Sequence, residues 1–274
     1  MQTPADEDTE AGRFILPVSG RVAVLRPPCG ADDLLLLEAA RTPAGDAALA
    51  LALARRLARA AEGEPLHWDA LPVTDLDALV LRLRQMLVGD RVRADVACPA
   101  GGCGRRIDIA FGIDDFLAHH APEPGAWSTE PDDEPGWFRL VEPAEGVRFR
   151  LPAVADQLAV MGRPGADDEL ARRCSRPPDV PPRLRQRVEE AMEALAPSLS
   201  ADLKGVCPEC GAEVVVEFDA RWYCLRELRD RAAFIYQDVD LLARRYHWTE
   251  RDILALPHAR RAAYADLARR VEGV

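Results

Sequence analysis

Two stretches decide the fold: Val96-Ala97-Cys98-Pro99-Ala100-Gly101-Gly102-Cys103-Gly104-Arg105-Arg106-Ile107-Asp108-Ile109-Ala110-Phe111 and, much later, Val206-Cys207-Pro208-Glu209-Cys210-Gly211-Ala212-Glu213-Val214-Val215-Val216-Glu217-Phe218. Laid over each other they are one unit used twice. Cys103-Gly104 precedes Ile107, Ile109 and Phe111 as Cys210-Gly211 precedes Val214, Val216 and Phe218, and Phe116 and Tyr223 follow at the same offset. The alternation predicts a strand, a two-cysteine knuckle, a second strand and then a helix. A knuckle has to reverse the chain with both sulfurs facing one point, and glycine after the second cysteine permits that backbone.

The knuckles have four and two residues between their cysteines, both within the spacing used for zinc. Each pair supplies two ligands, whereas a closed structural site takes four. We therefore expect Cys98, Cys103, Cys207 and Cys210 to share one structural Zn2+ per chain, within one chain or completed across a dimer. Seven cysteines is an odd number, with Cys29, Cys174 and Cys224 standing apart. In a cytosolic protein such paired spacing argues for metal rather than disulfides.

Working outward, Gly20 to Arg26 alternates like a strand that stops at Pro27-Pro28. A helix through Leu49, Leu51, Leu53 and Leu57 takes Asp46 as its cap and ends near Glu62-Gly63. Leu71-Pro72-Val73-Thr74-Asp75-Leu76-Asp77 reads as a helix entry, with Thr74 as N-cap, Asp75 and Asp77 at the positive end, and Gly89 as the stop. Trp137 to Leu140 and Val147 to Leu151 pair around Glu145-Gly146, and short helices follow over Val154 to Met161, Asp168 to Cys174 and Leu184 to Leu195. With no proline or glycine from Asp219 until Pro257, one long helix is expected to Tyr246, its buried face including Trp222, Leu225, Leu228, Ala232 and Ile235. Thr249 then caps a new turn, and a last helix starts near His258.

The fold expected is α+β, mainly helical with short antiparallel strands and two knuckle units joined at one four-cysteine zinc site. It divides into a flexible acidic tail (1–19), an N-terminal lobe with the first knuckle (20–120), an acidic, proline-rich loop (121–136) and a C-terminal lobe with the second knuckle (137–274). A chain of 274 residues is long enough for such a core. Its acidic start lacks the basic and apolar run of a signal peptide, and no apolar run is long enough to span a bilayer, so a cytoplasmic protein is expected. The net charge of −11 repels a phosphate backbone.

Catalytic signatures are absent: there is no His-Glu-x-x-His, no phosphate loop ending in lysine and no Gly-x-Ser-x-Gly. Four thiolates leave no open metal position. His119 and His120 suit a helix end. His67, His247 and His258 show no evident partner in the sequence, and Asp132-Asp133-Glu134 reads as a solvated loop. Tyr246-His247-Trp248 reads as a helix-end anchor, with a partner hot spot as its rival.

Leu71 to Asp77, Gly89-Asp90-Arg91, the two Cys-Pro knuckles, Phe218-Asp219 opening a helix, and Tyr246-His247-Trp248-Thr249-Glu250 followed by Ile253-Leu254-Ala255-Leu256 together resemble the contractile-tail phage baseplate hub assembly family. Relatives of that family occur beside bacterial phage-tail-like contractile injection systems. The resemblance runs over residues 70 to 270. It implies a non-enzymatic hub subunit or assembly chaperone whose partners are baseplate, hub or spike proteins; the acidic charge and the lack of a spanning apolar run add the expectation of no nucleic acid and no membrane. A zinc-ribbon nucleic-acid or transcription-associated module is the alternative, and an enzyme using the acidic loop has no motif to support it.

Overall fold

The computed structural model describes residues 12–39, 41–123, 129–141 and 146–272. It is a mixed α+β fold, about half helical, with short antiparallel strands in small sheets. Strands β1 (Arg13–Ile15), β2 (Val22–Leu25) and β3 (Ala58–Ala60) form the first sheet in that order. Between β2 and β3 lie helices α1 (Gly30–Glu38) and α2 (Pro43–Leu57). The long apolar helix α3 (Val73–Val88) follows and ends at Gly89.

The first knuckle unit is β4 (Arg91–Ala97), β5 (Arg106–Gly112) and helix α4 (Ile113–His119). A four-stranded sheet in the order β6 (Thr129–Pro131), β7 (Trp137–Leu140), β8 (Arg148–Arg150) and β9 (Ser175–Arg176) comes next. Helices α5 (Val154–Val160) and α6 (Ala166–Cys174) interrupt it, and α7 (Pro182–Leu195) follows. The second unit is β10 (Ser200–Val206), β11 (Glu213–Asp219) and helix α8 (Ala220–Ala232). Helices α9 (Ile235–Tyr246), α10 (Glu250–Leu254) and α11 (His258–Glu272) complete the fold.

The main core draws on both halves of the chain. Leu53, Leu76, Leu79 and Leu83 of the first half pack with Leu199, Phe218, Leu225 and Leu228 of the second. Helix α8 lies against α1, α2 and α3. The division into two lobes at 121–136 is therefore not a division of the core. Two ion pairs with buried arginines and half-buried acids reinforce the junction: Arg221 Nε donates to Asp77 at 2.6 Å, and Arg84 Nε to Glu227 at 2.7 Å.

Several expectations are corrected by tertiary partners that local sequence does not display. Thr74 sits inside α3, and its hydroxyl donates to the Pro197 carbonyl at 3.0 Å instead of capping its own helix. Asp75 accepts the backbone amides of Val18 and Ser19, at 2.8 and 3.1 Å, so it ties down the segment after β1. Burial raises the Asp75 pKa above the ordinary carboxylate value, although those amides oppose the shift. The tail expected over 1–19 accordingly contains β1 and the buried Leu16; its residues 1–11 lie outside the described residues. The cap of α2 is Thr42, whose hydroxyl accepts the Gly45 amide, and Asp46 lies in the first turn. That helix ends at Leu57 because the chain turns into β3 to pair with β2.

The expected helix from Asp219 to Tyr246 is broken at Ala233 and Phe234. No proline or glycine marks the break. It lets Leu225 and Leu228 stay in the main core while Leu241 turns toward Ala265 and Ala268 of α11. The stretch read as a loop contains β6, and its Asp132 is a buried anchor for Arg139 and Arg148, at 3.3 and 3.1 Å, rather than a solvated acid. Glu145, expected in the β7–β8 turn, lies outside the described residues.

Candidate metal centre

The two knuckle units fold as related hairpins. β4 pairs with β5 antiparallel, from Arg91↔Gly112 to Ala97↔Arg106, and β10 pairs with β11 from Ser200↔Asp219 to Val206↔Glu213. Each ladder continues one step into its knuckle: the Cys98 amide donates to the Arg105 carbonyl and the Cys207 amide to the Ala212 carbonyl, both at 2.8 Å. Gly104 and Gly211 take left-handed φ angles of 60° and 72°, a region where a side chain is strained. The first knuckle, two residues longer, closes with the Cys103 amide donating to the Ala100 carbonyl at 3.0 Å, and the second with the Gly211 amide donating to the Cys207 carbonyl at 2.9 Å.

The hairpins meet through their inner faces. Ile107 and Val214 are buried with Cys98 and Cys207 in a small separate core, flanked by Val96 and Val216. At the other end Phe111 and Phe218, equivalent in the repeat, contact edge to face with ring centres 5.1 Å apart. Phe116 meets Phe218 edge to face and Tyr223 meets it at a tilt, from opposite units, each with ring centres 5.3 Å apart. The Tyr223 hydroxyl donates to the Arg93 carbonyl at 2.8 Å, tying α8 to β4, a link that sequence reasoning missed because it joins different units.

All four knuckle sulfurs lie within 4.8 Å of one another. Cys98 Sγ is 3.6 Å from Cys210 Sγ, and Cys103 Sγ is 3.9 Å from Cys207 Sγ. Exchanging the two units turns one of these contacts into the other, as a pseudo-two-fold axis through the cluster requires. Ligands 2.3 Å from a tetrahedral ion stand about 3.8 Å apart, so both contacts fit one shared metal ion. Cys98 and Cys207 are buried, Cys103 is half-buried and Cys210 is exposed.

Backbone amides prepare the sulfurs for this role. The Cys210 and Glu209 amides draw the Cys207 thiol down to about 7. The Ala100 amide acts likewise on Cys98, but burial and the neighbouring thiols outweigh it and push that group up to about 12. Cys103 is also raised, its Arg105 amide opposed by burial and by the thiols of Cys210 and Cys207. Ionising one thiol thus hinders the others, and a divalent cation at the centre removes that penalty. The donor set suits a metal ion.

Other singled-out residues have structural partners. His120 Nδ1 lies 2.8 Å from the Phe116 carbonyl at the end of α4. His258 Nδ1 lies 3.4 Å from Asp33, beside Arg261, and so has a partner after all. His247 ends α9 with a φ of 56°. Tyr246 and Trp248 stack at 4.9 Å and Trp248 meets Tyr264 edge to face at 5.0 Å, fastening α9 to α11. Cys174 and Cys224 are buried away from the cluster, and burial pushes their thiols up to about 11 and about 12. Among the described residues no other group of three or more His, Cys, Asp or Glu could hold a metal ion.

Fold and site together define a mixed α+β protein in which two related hairpins share a cluster of four cysteines positioned to hold a metal ion. No helix among the described residues is long and apolar enough to cross a membrane. No family model, curated protein or solved structure matches the chain.

Proposed function

We propose that this chain is a non-enzymatic assembly factor or adaptor for the baseplate hub of a contractile, phage-tail-like injection system. One structural zinc ion per chain, held by Cys98, Cys103, Cys207 and Cys210, locks its two hairpins together. The observation that carries the structural part is the cross-paired sulfur geometry, 3.6 and 3.9 Å, in a set of four thiols. A four-thiolate zinc has no open position for substrate, which favours a clamp over catalysis. All-sulfur ligation with near-tetrahedral spacing favours zinc among common ions. The assignment to a baseplate hub rests on the sequence resemblance over residues 70 to 270.

Two measurements test the reading. Metal analysis of protein purified without chelator should give one zinc per chain, and its absence overturns the clamp. Pull-down from cells expressing the whole neighbouring gene cluster should recover baseplate, hub or spike proteins. Recovery of none of these, or salt-sensitive binding of nucleic acid in their place, overturns the adaptor role.

A further inference from the structure

The four cysteines divide by exposure in the same way in both knuckles. The first of each pair, Cys98 and Cys207, is buried, whereas the second reaches solvent, Cys103 in part and Cys210 openly. The sulfur contacts cross this division. Cys98 lies 3.6 Å from Cys210, and Cys103 lies 3.9 Å from Cys207, so each contact joins an accessible sulfur of one hairpin to a buried sulfur of the other. An oxidant arriving from solvent meets Cys210 or Cys103 first, and a thiol of the opposite unit stands beside the sulfur it has attacked.

The two sides of the cluster also differ in freedom. Cys98 and Cys207 are packed with Ile107 and Val214, and their amides are tied into the strand ladders. Around the accessible sulfurs, Gly101, Gly102, Gly104 and Gly211 have open space where a Cβ would stand. A disulfide shortens the sulfur separation to about 2.05 Å, and this open side has room for Cys103 and Cys210 to swing inward. Cys174 and Cys224 are buried elsewhere and share no such contact.

We infer that the cluster is also a peroxide-sensitive switch, in which the Cys98–Cys210 and Cys103–Cys207 contacts become disulfides that keep the hairpins joined while the ion is released. The Cys210 thiolate attacks hydrogen peroxide, the O–O bond breaks, and Cys210 sulfenic acid and hydroxide form. The Cys98 thiolate then attacks Cys210 Sγ; the S–S bond forms and the S–O bond breaks, releasing a second hydroxide. Both hydroxides take up protons to become water, and two electrons have passed from the sulfur pair to the peroxide. Cys103 and Cys207 repeat the step with a second peroxide, after which no thiolate is left to hold an ion. This deepens the zinc-clamp reading, on which it rests, by giving the same four residues a second, covalent way to hold the units together.

The test is oxidation of the intact, metal-loaded chain with a few equivalents of hydrogen peroxide. A chromogenic chelator follows released zinc, and free thiols are then blocked in denaturant. Trypsin leaves Cys98 and Cys103 together in residues 94–105, and Cys207 and Cys210 together in 205–221. Mass spectrometry without reductant should find these two peptides joined, one zinc released per chain, and Cys29, Cys174 and Cys224 blocked as free thiols. Fragmentation should place Cys98 with Cys210 and Cys103 with Cys207. Disulfides within a knuckle, which leave the peptides separate, overturn the proposal, as do pairing of Cys98 with Cys207, sulfinic acids without disulfides, or four thiols left unoxidised. The oxidised chain should also melt roughly 10 °C above the reduced, chelator-stripped chain, because the units stay linked; equal midpoints overturn the proposal. Protein that carries no zinc at the outset rejects the clamp alone, since the disulfide map of the same sample still decides the pairing. A zinc-loaded chain whose peptides never join rejects the switch alone.

Discussion

On the proposed zinc clamp, stripping the metal with a high-affinity chelator, or replacing Cys207 and Cys210 together by serine, should cut the link between the knuckles. Cys103 and Cys207, whose sulfurs meet, are 104 positions apart. Closing a loop of that length restricts the unfolded chain by about 4.7 kcal/mol, treated as a cross-link alone and before the metal–sulfur bonds are added. At about 2 °C per kcal/mol for a chain of this size, the thermal midpoint should fall by roughly 10 °C. Circular dichroism melts with and without chelator, paired with metal analysis, measure this shift. The loss should also be uneven. Two-stranded hairpins are marginal by themselves, so amides of β4, β5, β10 and β11 should lose hydrogen-exchange protection while those of α3 and α8 keep theirs. A midpoint within about 2 °C of the loaded protein, with the metal demonstrably gone, refutes the reasoning.

Other perturbations probe the frame that holds the site. Phe218→Ala removes the ring shared by both units and should cost about 3–5 kcal/mol in chemical denaturation, more than Phe138→Ala in the smaller β7–β8 core. Gly30→Ala should destabilise by about 1–3 kcal/mol, despite alanine's better helix propensity, because the new Cβ would stand 2.9 Å from the Leu254 backbone; an unchanged denaturation midpoint refutes this. Burial pushes Asp32 upward, but the hydrogen bonds from Arg26 and the Cys29 amide outweigh it and leave its pKa below the ordinary value. Its folded value being the lower one, its contribution is complete above the unfolded value of about 3.9 and is lost as pH falls through the folded value. Asp32→Asn should therefore be less stable near neutral pH and show a shallower acid limb below about pH 4, measured by melts across pH.

The repeat was legible because its signals are local: cysteine spacing, the glycine after each knuckle, and alternating apolar residues that can face only one way. The same holds for α3, whose leucines recur at helical spacing up to Gly89. What was hidden depends on partners far along the chain. Thr74 followed by Asp75 has the chemistry of a helix cap, and nothing local reveals that the threonine faces Pro197 and the aspartate Val18 and Ser19. The break at Ala233 and Phe234 is set by where α11 lies and not by a breaking residue. Trp222 shared the apolar period of α8, yet its ring is 52% exposed, and period alone does not distinguish a core ring from one left at the surface. The acidic composition of residues 121–136 suggested solvation, but Arg139 and Arg148 across the sheet make Asp132 a buried anchor.

The crossed pairing of the sulfurs also sets an order in time. Ribosomal synthesis at roughly 5–20 residues per second leaves on the order of 5–20 s between the emergence of Cys103 and that of Cys207, 104 positions later. Throughout that interval the nascent chain offers an ion two ligands instead of four, and Ile107 and Ile109 have no facing hairpin to cover them. Capture of the proposed ion by all four cysteines needs just over three quarters of the chain, through Cys210 of 274 residues, to have been made. A ribosome stalled before the second knuckle would hold a product unable to close its centre.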